Sequence, residues 1–171
     1  MSPEHTCKVE YEVEPCNKGY NSSACIDVKR TSLPMKTGGY VIYGVGHQHA
    51  GAIGSTLYGQ EYKNKNKNFY VIYLIKKLNH HASFTIFRLT IFFEPIDGKV
   101  ICSSIAKYGN GTEAGNEKGY VVGMSTCYPK PGTVKIRDGE TLTLEVIYNS
   151  NERHTGVMGL FYFLVAEHLP H

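Results

Sequence analysis

No apolar run in this 171-residue chain reaches the roughly 18 residues of a membrane-crossing helix, so the sequence predicts no membrane span. There is no Cys-x-x-Cys pair, which argues against a zinc knuckle or a thioredoxin-type centre. Gly-x-Ser-x-Gly, the P-loop and His-Glu-x-x-His are also missing. That removes the usual serine-hydrolase, nucleotide and zinc-protease signatures. No stretch of any length repeats apolar residues at helical spacing, so helices are not expected. The opening Met1-Ser2-Pro3-Glu4-His5 lacks the charged-then-apolar pattern of a secretory signal. The expectation is a cytosolic protein, or a portion of a longer one that has lost its leader.

Charge is sparse at 19% of residues against 42% apolar, a balance that suits a globular chain with a real core. Glycine (18) and tyrosine (13) are abundant, and tryptophan is absent. The formal charge of +3 is unevenly placed. Residues 61–96 hold six cations against two anions, a net +4, which leaves the remainder at −1. Basicity this local does not predict nucleic-acid binding.

The five cysteines, Cys7, Cys16, Cys25, Cys102 and Cys127, suit an oxidising compartment. Asn21-Ser22-Ser23 and Asn110-Gly111-Thr112 are glycosylation sequons and point the same way. The bland alternative is free thiols and chance sequons. We expect Cys102 to pair with Cys127, and two of Cys7, Cys16 and Cys25 to pair. That leaves one thiol, whose partner would lie outside the chain. Such pairs need Cα atoms within roughly 7 Å.

Short alternating runs punctuated by turns recur throughout. They fall at residues 8–13, 26–29, 40–43, 54–58, 99–105, 120–124, 133–136, 142–148 and 160–165. The pattern predicts an all-β chain, a single antiparallel β-sandwich or jelly-roll domain. Residues 61–96 stand apart. They contain no glycine but five of the seven phenylalanines, with many Lys, Asn and Ile. This composition follows AT-rich codons and reads as a translated intron. Excision would join Gly59-Gln60 to Asp97-Gly98, an Asp-Gly hairpin. The alternative is a genuine long hairpin of residues 69–75 and 84–93, turning at Asn79-His80-His81. Glu113 and Glu117 sit among glycines and read as a turn rather than a calcium site.

The chemistry-bearing residues are His47 and His49, at the end of Tyr40-Val41-Ile42-Tyr43. Imidazoles one residue apart on an extended segment point the same way. Gly44-Val45-Gly46 and Ala50-Gly51-Ala52 leave room for an ion and a substrate. His154 and Met158 precede the last apolar run. A thioether beside two imidazoles favours copper. The competing reading is surface histidines and a core methionine. Met124 is read as core.

Several stretches resemble the plant stress up-regulated Nod 19 family. They are the run from Gly38 to His49, Gly54 to Gly59, Tyr108 to Gly111 with Glu113 to Glu117, Gly123 to Pro129, and His154 to Tyr162. The resemblance implies secreted full-length proteins with a signal peptide and a preceding domain, of which this chain looks like the C-terminal portion. More distantly, the order of His-x-His and a later Met is similar to the second domain of copper type II ascorbate-dependent monooxygenases. Peptidylglycine α-hydroxylating monooxygenase is one member. That similarity places the copper ligands at His47, His49 and Met158. His154 is a candidate fourth ligand, a group supporting the others, or a surface residue. The histidine-bound electron-supplying copper of those enzymes belongs to a first domain missing here. The expectation is a copper-binding, monooxygenase-like domain acting on an unidentified small-molecule or peptide substrate. The alternatives are a non-catalytic extracellular stress protein and a structural sandwich without metal.

Overall fold

The computed structural model describes residues 10–16, 25–60 and 98–169. These form eleven strands, with no helix among them. In chain order they are β1 (Glu10–Val13), β2 (Ile26–Pro34), β3 (Gly39–His47), β4 (Ala52–Gln60), β5 (Gly98–Tyr108) and β6 (Val121–Met124). Then come β7 (Thr126–Cys127), β8 (Lys135–Ile136), β9 (Thr141–Asn149), β10 (His154–Met158) and β11 (Leu160–Ala166). The strands pair antiparallel throughout. One sheet has the order β2-β9-β4-β5-β6. A second has β11-β3-β7, with β8 also on β3, and β1 pairs with β10. The result is the antiparallel β-sandwich that the patterning predicts.

Alternation accounts for which faces are buried. On β9, Leu142, Val146 and Tyr148 are buried, each an even number of residues from the next. They join two separate cores. The larger holds Val41, Leu57, Ile101, Cys102, Ile136 and Leu142, with Phe161, Phe163 and Val165 packed on it. The smaller holds Val13, Ala52, Val146, Tyr148 and Val157. Burying each large aliphatic side chain contributes roughly 1.5–3 kcal/mol. Pro34 ends β2, an edge strand, where its missing N–H costs little.

The sheets approach closely at Gly44 and Gly46. A Cβ on Gly44 would stand 2.8 Å from the Cys102 sulfur, and one on Gly46 would stand 2.4 Å from Ser55 Oγ. Any larger residue would push the layers apart. At the same place the Cys102–Cys127 disulfide joins β5 to β7 and so staples one sheet to the other. Cys16 pairs with Cys25. Both bridges match the expected pairings, and Cys7 lies outside the described residues.

β4 and β5 are neighbours, with a register running to Gln60↔Gly98. Gln60 and Gly98, the residues on either side of the segment, thus stand opposite each other. The intron and long-hairpin readings, and the expected projection from the sandwich, concern residues 61–96, which lie outside the described ones. Two strands were not legible in the sequence. β7 is only two residues long. Residues 154–158 are a strand in their own right, paired with β1 rather than with β3. The chain changes partner at Gly159, where a Cβ would stand 2.8 Å from a methyl of Val146.

Candidate metal centre

His47 is the last residue of β3, and its Cα partner across the ladder is Leu160 of β11. His49 follows just past the strand end. Between them Gln48 turns inward, 4% exposed, and its amide nitrogen donates to the Ile147 carbonyl at 3.3 Å. Alternation therefore persists past the strand end and leaves the two imidazoles on one side. Their ring centroids are 5.4 Å apart and the planes 78° apart. Two imidazoles holding one ion at about 2.0–2.1 Å each, at a tetrahedral angle, would have centroids about 5 Å apart. The observed spacing is compatible with that and equally with an ordinary edge-to-face ring pair.

His49 is held at two points. Its Nδ1 lies 2.7 Å from the Gly156 carbonyl of β10. A carbonyl only accepts, so Nδ1 carries the proton in the neutral ring and Nε2 keeps a free lone pair. This is the usual arrangement behind a ligating histidine. The His49 backbone N–H donates to the Tyr148 hydroxyl at 2.9 Å. That hydroxyl donates in turn to the Met158 carbonyl at 2.6 Å. Tyr148 is fully buried, with Tyr11 edge-on against it at 6.0 Å. Burial, above all, pushes the Tyr148 phenol up from its ordinary value, so it stays a donor.

Met158 is half-buried at the end of β10, two residues before the Leu160 that faces His47. His154, at the start of β10, faces Val13 of β1. Its ring packs on Gly51: a Cβ there would stand 2.6 Å from ring atoms. Gly51 also has φ +90°, so glycine is required twice over. The His154 Nε2 is buried with no hydrogen-bond partner. Among the described residues, no three His, Cys, Asp or Glu side chains gather as an ion-holding group. Of the four expected ligands, the structure sets His47 and His49 side by side, while Met158 is not among the residues lining the groove beside them and His154 packs on Gly51.

A groove of about 610 Å³ runs beside the histidines. Residues 45–50 form one wall and residues 120–124 the other. No Lys, Arg, Asp or Glu lines it. Met124, expected in the core, instead lines the groove, half-buried, and joins neither core. Gly46, across the groove, leaves space for its methyl. The contact links strands far apart in the chain, so no local signal reveals it. A smaller cavity of about 260 Å³ lies elsewhere, around Glu140. That carboxylate accepts backbone N–H bonds from Gln60 at 3.0 Å and Arg137 at 2.8 Å, which gives it a structural role.

No curated protein and no solved structure matches the chain. The family described as stress up-regulated Nod 19 matches residues 1–67 and 63–168. The division between the two matches falls within the compositionally distinct segment. Between them the matches span nearly all of the chain, which belongs to the stress up-regulated Nod 19 family.

Proposed function

We propose that this chain is a copper-binding β-sandwich domain of monooxygenase-like ancestry, with the ion held by His47, His49 and Met158. One observation carries the reading. The two imidazoles sit 5.4 Å apart at a strand end, and one is fixed through Nδ1 with its other nitrogen free. Copper bound there would supply one-electron chemistry and oxygen activation. The protein's own part is to orient the rings and to present a neutral groove. Gly156 sets the His49 tautomer. Gln48, drawn inward, keeps the rings on the open side. The groove gives an uncharged substrate, small molecule or peptide side chain, a seat beside the histidines. His154 supports the site from behind, through its contact with Gly51 two residues after His49. Two disulfides suit an extracellular setting.

The test is copper titration of the purified chain in both oxidation states. Wild type should bind one equivalent, and His47→Ala and His49→Ala should each weaken Cu(I) and Cu(II). Equal affinity in all three proteins would overturn the reading in favour of a metal-free sandwich. Oxygen consumption with ascorbate then separates an enzyme from a non-catalytic extracellular binding protein.

A further inference from the structure

We infer that the Tyr148 hydroxyl is a positioning group that sets the spacing between His49 and Met158, and so tunes the site toward Cu(I). The inference rests on the copper reading. Tyr148 belongs to β9, in the five-stranded sheet, and shares no backbone ladder with residue 49 or residue 158. Its oxygen nevertheless joins the two. It accepts from the His49 N–H at 2.9 Å and donates to the Met158 carbonyl at 2.6 Å. A phenol can take both roles at one atom, and a phenyl ring can take neither. With the His49 ring bonded to Gly156, His49 is tied to β10 at two points, backbone and ring. One of those ties passes through Tyr148. Met158 pairs with Glu10 at the end of the β1–β10 ladder, and the chain switches to β3 directly after it, at Gly159. The phenol adds a tie from the five-stranded sheet to the Met158 backbone at that switch.

Tyr148→Phe keeps the ring that fills the core and removes only this bridge. In the full chain, Cu(I) affinity should fall about tenfold or more, the range for groups that orient metal ligands. Cu(II) affinity should fall less, with an altered electron paramagnetic resonance spectrum. Tyr11→Phe serves as the control: its hydroxyl has no hydrogen-bond partner, and its ring packs on Tyr148. It should leave copper affinity unchanged. Wild type that binds copper, with Tyr148→Phe matching it in affinity and spectrum, overturns this inference and leaves the copper reading standing. Wild type that takes up no copper overturns both. If Tyr148→Phe does not fold, hydrogen exchange in wild type decides. The His49 amide should be strongly protected, and more so with Cu(I). Exchange at the rate of an open amide overturns the inference.

Discussion

The two cores of this sandwich are built on different terms. The larger is a plain apolar contact between sheets, closed by a disulfide between β5 and β7. The smaller, beneath the histidines, is laced with polar atoms. Tyr148 is its largest buried side chain, and Tyr11, Gln48, Ser55 and His154 around it each keep a buried polar atom without a partner. Leaving such atoms unpaired costs on the order of 1–3 kcal/mol each. A fold carries that burden where the groups serve something besides stability. The difference teaches that one end is held by apolar contact and a disulfide, while the core beneath the His-x-His pair carries buried polar atoms.

The strongest attack on this division removes the staple. Cys102→Ala with Cys127→Ala should cost about 2–5 kcal/mol of stability, read from urea unfolding. Copper affinity of the folded protein should not change. A parallel loss of affinity would show that the two ends are coupled.

The next effect belongs to the other end. Gly51→Ala forces a Cβ into a left-handed backbone and onto the His154 ring. It should cost on the order of 1–3 kcal/mol. His154→Ala in the same background should recover the steric share, measured as a double-mutant cycle. No recovery would mean that backbone strain alone sets the cost.

Met158→Ile keeps apolar bulk and deletes the sulfur. Stability should change by less than about 1.5 kcal/mol, while Cu(I) affinity falls more than Cu(II) affinity. Unchanged affinity would remove Met158 from the site.

The last effect shows only at alkaline pH. Burial raises the phenols of Tyr11, Tyr108 and Tyr148 at the histidine end, three groups against Tyr58 alone on β4 beside Glu145. An unfolded tyrosine ionises near pH 10. The folded groups hold their protons longer, so their contribution is complete below about pH 10 and is lost as pH rises beyond it. Amides of β1 and β10 should therefore lose hydrogen-exchange protection before those of the larger core. Simultaneous loss would erase the distinction.

Much of this was legible in the sequence because it rests on local rules. Period-two alternation marked β3, β4, β5, β9 and β11, and it also placed His47 and His49 on one side. The Cys102–Cys127 pair was expected from the sequence although β7 was not, whereas of the N-terminal cysteines it was expected only that two pair, and the structure shows these to be Cys16 and Cys25. The sequence also set out the donor types and the compositional break at 61–96. What only the tertiary structure decided is which distant atoms meet. Strand pairing can join any two segments, and nothing within a strand names its partner. Hence the β10 pairing with β1, the ring of His154 on Gly51 and the exposure of Met124 to the groove all depended on register. So did the bridge from His49 through Tyr148 to Met158. Tyr148 reads locally as one more apolar-facing tyrosine, and its role comes from a hydroxyl that reaches two chain segments its own strand never pairs with.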